Sequence, residues 1–200
     1  MSKHQGPGKL GDPNQTLAKD PRLDPRLAAL IDAMPGLAGS SASPSFDSSV
    51  EDALAYCNAV EDAGREANEM MLAGLPDFPT VSASTETIKG VDGNDITLFV
   101  HQPKDRSGPA PCVVHLHGGG MVVMSAADPG FILLRNSLAA MGMVVIGVEF
   151  RNGGGKLGPH PFPAGLNDCA SAVQWADEQR ANMDISKIIV SGESLSLIHI

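Results

Sequence analysis

The spacing of apolar residues along this 200-residue chain changes from helical to strand-like near Thr80. Before that point, Leu27, Leu30, Ile31 and Met34 recur at i, i+3, i+4 and i+7, which predicts a short amphipathic helix opened by Asp24-Pro25 and stopped at Pro35-Gly36. Val50, Leu54, Cys57 and Val60, with Met70, Met71 and Leu72 further on, mark a second helix. Ser48 or Ser49 caps it, Glu51 or Asp52 suits its first turn, and it ends near Gly74 and Pro76. Gly36 to Ser49 between them is small and polar, a linker by composition. From Val81 the period is two, with Val81, Ala83, Thr85 and Thr87 on one side until Ile88 breaks the alternation. After the Asp92-Gly93-Asn94-Asp95 turn, Ile96, Leu98 and Val100 alternate with Thr97, Phe99 and His101, so the two strands form an antiparallel hairpin. Three continuous apolar runs follow, from Pro111 to Leu116, Met143 to Val148 and Ile185 to Val190. Such runs suit strands buried on both faces. A helix over Phe131 to Met141, apolar at Leu133, Leu134, Leu138 and Met141, separates the first two. Another, opened by Ala164 and apolar at Leu166, Cys169, Val173 and Ala176, separates the last two; Trp175 falls off its stripe and is expected to be partly buried. A hairpin followed by strand, helix, strand, helix, strand predicts an open α/β sheet.

Composition narrows the partners. A net charge of −9 and a pI near 5.0 leave no basic patch for nucleic acid or an anionic membrane. No segment reaches the roughly 18 apolar residues of a membrane span, and the first 20 residues have no apolar signal region, so the expectation is a soluble, cytoplasmic protein without stable membrane insertion. Cys57, Cys112 and Cys169 are odd in number, widely spaced and set among apolar residues, which fits reduced thiols and neither a disulfide framework nor a metal site. No cofactor and no metal are expected. Residues 1–20 have almost nothing to bury and read as a disordered lead-in.

Two stretches carry chemistry. In PCVVHLHGGG, Pro111 to Gly120, a buried strand ends in three glycines, which lets the backbone approach a ligand or take φ > 0 at the end of a parallel sheet where ligands sit. Gly192-Glu193-Ser194, directly after the last apolar run, is the first half of a G-x-S-x-G turn that lifts a serine hydroxyl above the sheet edge. Roughly 75 residues separate the two, each at the C-terminal end of a predicted parallel strand. Together they point to acyl transfer, with a nucleophile at one loop and oxyanion donors at the other.

With VVHLHGGG, VEFRNGGGKLGPHPFPAGLNDC and ISKIIVSGES in order over roughly Thr80 to Ser194, the chain resembles the hormone-sensitive-lipase family of α/β-hydrolase esterases. The resemblance implies an α/β-hydrolase fold, a small-molecule carboxylic-ester substrate, a Ser-His-Asp triad and a lid of N-terminal helices over 21–79. It implies Ser194 as nucleophile and the backbone N–H groups of Gly119, Gly120 and Leu195 as oxyanion donors, with Gly118 in the same loop. By the same resemblance His117 pins the glycine loop and is not the base, and Glu193 is the variable position of the elbow. Arg151 and Asn152 are expected to brace the loop, and Asp168 to cap its helix or brace Arg151. Met121 and Met124, beyond the glycines, are assigned to core packing ahead of an acyl pocket.

The chain departs from the pattern after Ser194. Leu195 crowds a turn that needs a small residue, and no glycine stands two places after the serine. The triad acid and base lie downstream of the nucleophile in such folds, whereas 195–200 holds no carboxylate and only His199. His101 and His115 belong to strands, His160 to a Pro-rich loop and His4 to the lead-in. The expectation is an α/β-hydrolase core over 80–194, truncated after the elbow strand and followed by an atypical tail, 195–200. It is then an inactive fragment of an esterase, poorly soluble because its last strand is an apolar edge. A chain without the base also fits a second class, a non-catalytic small-molecule binder of the same fold resembling the plant gibberellin receptor. Oligomeric state is left open.

Overall fold

β1 (Val81–Lys89), β2 (Asp95–Pro103), β3 (Ala110–Leu116), β4 (Val144–Glu149) and β5 (Ile185–Gly192) form one sheet in the order β1-β2-β4-β3-β5. β1 and β2 are the expected hairpin, and β2 is antiparallel to β4, while β3 runs parallel to both β4 and β5. The computed structural model describes residues 19–33, 44–75 and 77–194. The chain divides into two units, Met1–Ser45 and Phe46–Ile200. The first holds α1 (Pro25–Ala33), where the Asp24 carboxylate accepts the Arg26 N–H at 2.8 Å, as an N-terminal cap should. The second holds the sheet and α2 (Val50–Leu72), α3 (Pro129–Ala140) and α4 (Ala164–Glu178). Met34, most of the expected linker and lead-in, Pro76 and the tail 195–200 lie outside the described residues. Among the described residues no helix is long and apolar enough to cross a membrane.

The two faces of the sheet are unlike. Even-numbered residues of the central strands, Ile96, Leu98, Val100, Cys112, Val114, Val144, Ile146 and Val148, pack with Cys169, Ala172 and Ala176 of α4 into one apolar cluster, which Trp175 joins partly buried. A smaller cluster, Val81, Val113, Val145 and Ala139, faces α3. β1 therefore starts on one side and ends on the other: Val81 packs toward α3, while Ile88, paired with Ile96, packs toward α4. This explains why Ile88 breaks the alternation.

α3 corrects an expectation. Its buried residues are Arg135 and Ala139, while Ile132, Leu134 and Met141 are exposed and Leu138 is partly buried. The cause lies in β4, where Gly147 leaves room for the Arg135 stem: a Cβ there would stand 2.8 Å from Arg135 Cδ. The guanidinium, fully buried, donates to His101 Nε2 at 3.1 Å and to the Ala126 carbonyl at 2.7 Å, and lies 5.4 Å from the Phe99 ring centroid. Thus α3 covers a layer in which polar groups share the space with a small apolar cluster, and α4 covers an apolar one.

Candidate active site

β3 and β5 leave the sheet side by side, and the Leu116 carbonyl accepts the Glu193 N–H at 3.1 Å. On the turn that follows β5, Ser194 takes φ = +54°, a left-handed conformation that costs a residue with a Cβ about 1–2 kcal/mol. Such strain persists where the surroundings impose it, and it clusters at functional sites. The glycine loop lies against this turn. A Cβ on Gly118 would stand 3.6 Å from Glu193 Cβ and 3.9 Å from Ser194 Cβ. Gly119 and Gly120 follow at φ = +112° and +70°. The Gly119 carbonyl closes a tight turn by accepting the N–H groups of Val122 and Val123 at 3.1 and 3.0 Å, and a Cβ on Gly119 would overlap the Val123 carbonyl. Among the described residues, the N–H groups of Gly119 and Gly120 meet no acceptor.

The loop is supported from beneath. The buried His117 ring stacks on Phe150, with centroids 4.1 Å apart and planes 7° apart, and its Nδ1 donates to the Gly118 carbonyl at 2.7 Å. This is the contact that a pinning role requires. Burial pushes His117 down to about 4, so it is a neutral ring at physiological pH. His115, one turn of the strand earlier, places Nε2 at 2.7 Å from Glu193 Oε1. Burial lowers its pKa although the Glu193 carboxylate pulls the other way. Its Nδ1 is buried without a partner among the described residues, which fits a neutral ring whose Nε2–H donates to Glu193. The position after Gly192 is thus tied to β3 by both its backbone and its side chain.

Glu149, at the end of β4, accepts the Ser125 hydroxyl at 2.6 Å and the Ala126 N–H at 2.9 Å. Burial raises its pKa, opposed by those two bonds. Arg135 beside it is pushed down to about 10 by burial.

From the other side, the loop between β4 and α4 is laced to the segment after the glycines. Gly153 N–H donates to the Met121 carbonyl at 2.8 Å, Gly154 N–H to that of Val122 at 2.9 Å, and Asn152 Nδ2 to that of Met124 at 2.7 Å. Arg151 supports this loop from below, meeting the buried Asp168 carboxylate through its backbone N–H, Nε and Nη2 at 2.9, 2.9 and 2.8 Å and Asp92 at 2.6 Å. The braces expected of Asn152 and Asp168 are therefore present. On the apolar face a groove of about 710 Å³ runs between α4 and β5, lined by Leu116, Met121, Cys169, Val173, Ile188 and Val190. Met121 also packs against the main core.

Of the residues singled out from sequence, Ser194, Gly118, Gly119, Gly120 and His117 converge at this one place, and Leu195 lies outside the described residues. Among the described residues no group of three His, Cys, Asp or Glu side chains could hold a metal ion. The burial of Arg135 and the bond from His115 to Glu193 were missed by the sequence reading. Gly147 was the available signal for the first, since a glycine inside a β-branched strand marks a close approach.

Residues 113–195 match the model of a family described as the alpha/beta hydrolase fold. The solved structure of brefeldin A esterase, described as a bacterial homologue of human hormone-sensitive lipase, superposes with a TM-score of 0.82 at 38% identity, covering 96% of this chain and 54% of that one. Carboxylesterase NlhH of Mycobacterium tuberculosis is 34% identical over 123 residues, 58% of this chain and 36% of that protein. Tuliposide A-converting enzyme b1 of Tulipa gesneriana is 28% identical over 171 residues, 78% of this chain and 44% of that protein. The chain thus spans about half the length, or less, of the proteins it matches.

Proposed function

We propose that this chain, the core of a hormone-sensitive-lipase-like α/β hydrolase, carries the nucleophile of a carboxylic-ester hydrolase whose substrates are small molecules. The observation that carries the reading is Ser194, held at φ = +54° with the glycine loop against its Cβ. The Ser194 hydroxyl attacks the ester carbonyl, and the carbonyl oxygen becomes an oxyanion in the tetrahedral intermediate. The N–H groups of Gly119, Gly120 and Leu195 receive it, and each such donor supplies about 3–4 kcal/mol of transition-state stabilisation. Donors fixed by the closed Gly119 turn need no reorganisation when charge develops.

The serine proton needs a base. Three of the chain's histidines are spoken for: His115 by Glu193, His117 by the Gly118 carbonyl, and His101 by Asn136 and Arg135. All three are buried with lowered pKa values. We assign the base and the acid to residues outside the described ones, and expect these 200 residues alone to turn over esters far more slowly than the whole protein.

The test is hydrolysis of a short-chain p-nitrophenyl ester by the whole protein and its S194A variant. Turnover that vanishes in S194A supports the reading. Turnover that survives S194A overturns it, and saturable ester binding without turnover points to a binding protein of the same fold.

A further inference from the structure

We propose that Glu61 on α2 is a positioning residue for the glycine loop, acting through the backbone of Met124; its catalytic consequence rests on the ester-hydrolase reading. α2 has no fully buried residue, so polar anchors hold it: Arg65 meets Asp128 at 3.2 Å, and Lys156 pairs with Asp62. Glu61 does something different, because both its oxygens go to backbone. Oε1 accepts the Met124 N–H at 2.6 Å and Oε2 the Lys156 N–H at 2.8 Å. One carboxylate therefore ties together the segment after the glycines and the loop between β4 and α4. Gly155, at φ = +63°, makes room for it, since a Cβ there would overlap the Glu61 carboxylate.

The residue it holds is strained. Met124 takes φ = +78° and is gripped at both ends, its N–H by Glu61 and its carbonyl by Asn152. Between Met124 and the glycine turn stands only Val123, whose N–H bonds the Gly119 carbonyl and whose own carbonyl abuts Gly119. Releasing Met124 lets it leave the left-handed region, and the peptide it shares with Val123 rotates with it. The Gly119 turn then opens. A carboxylate suits this position because both oxygens accept; a glutamine amide accepts with one and confronts the second N–H with a donor.

The experiment records backbone amide spectra and hydrogen exchange on this chain and on E61A, E61Q, M124G and E61A/M124G. E61A is expected to shift the Gly119 and Gly120 amide resonances and to lower protection at Met124 and Lys156 by about tenfold or more, since each loses a bond to a charged acceptor. E61Q loses protection at one of the two. Glycine takes φ = +78° without strain, so E61A/M124G is expected to return Gly119 and Gly120 to their positions in M124G. A residue that merely docks α2 would show no such rescue. Unmoved Gly119 and Gly120 resonances in E61A, or no return in the double variant, overturn the proposal; if E61A fails to fold, the E61Q spectrum decides on the same resonances. Ester turnover of the whole protein carrying the same substitutions is read in parallel. If the unsubstituted protein turns over nothing while the resonances behave as expected, the hydrolase reading falls and the clamp stands.

Discussion

The three glycines after β3 are equal in the sequence and unequal in the structure, which yields a graded prediction. Gly118 is outside the left-handed region, and an added Cβ would meet only ordinary contacts at 3.6 and 3.9 Å. G118A should change stability by no more than about 0.5 kcal/mol. Its methyl group would nevertheless stand beside Ser194, where the proposed ester hydrolysis brings the substrate carbonyl, so on that proposal turnover should fall by about tenfold or more. Gly120, at φ = +70°, should cost about 1 kcal/mol as alanine. Gly119 pays twice: about 1–2 kcal/mol for its φ of +112°, and about 1 kcal/mol for each of the two bonds to its carbonyl that moving Val123 would break. G119A should therefore lose about 3 kcal/mol and, at 2–4 °C per kcal/mol for a protein this size, about 9 °C in Tm. Thermal unfolding followed by circular dichroism gives the stabilities, and p-nitrophenol release gives the turnover of the whole protein. Equal Tm losses in G118A and G119A, or a G119A protein within about 2 °C of the parent, would refute the reasoning.

Three further outcomes follow from the layers beneath the loop. D168A should destabilise the chain by about 3 kcal/mol in urea unfolding, because it removes three charge-assisted bonds from Arg151, leaving it Asp92 and the Ala164 carbonyl, and takes away the shorter of the two acceptors of Asn94 Nδ2; a loss under about 1 kcal/mol would count against the brace. G147A should press its methyl into Arg135 and cost about 2 kcal/mol, and R135M should recover part of that loss. Additive effects of the two substitutions would show that the pair is not coupled as described. The His117 ring, at about 4 when folded against about 6.5 when free, gains its proton first in the unfolded chain as pH falls. Its contribution to stability is intact above about pH 7 and declines by up to about 3 kcal/mol between about pH 6.5 and 4. His101 and His115 shift the same way, while Glu149, raised by burial, opposes them just above its ordinary value. Urea unfolding across that range should be steep for the parent and flatter for H117Q; equal slopes would contradict the assignment.

The strands and their succession along the chain were legible because hydrophobic burial writes them directly, whereas their order in the sheet was not. Runs such as Cys112 to Leu116 and Val144 to Val148 fill the space between two layers, and the hairpin from Val81 announces itself by alternation. The apolar runs hid the asymmetry of the layers. His115, Gly147 and Glu149 sit inside or at the end of those runs, and only the parity of the strands places them all on the α3 side. α3 itself misled, since Leu134 and Met141 look like core and Arg135 looks like surface. A buried guanidinium is specified by its partners on other elements, which no local pattern records. The glycine loop and Ser194 were legible as motifs because close backbone approach and a left-handed turn restrict residue type. Glu61 was not: it is one of several acids on α2, and its significance depends on contacts with residues 63 and 95 positions away.

In the proposed reaction Ser194 is the nucleophile. Its most direct test is reaction of the whole protein with diethyl p-nitrophenyl phosphate, followed by intact mass measurement and peptide mapping. The reading predicts one diethylphosphoryl group per chain, located on Ser194, with ester turnover lost in step with labelling and no labelling in S194A. Label on another residue, or turnover that persists once Ser194 is fully modified, would contradict it.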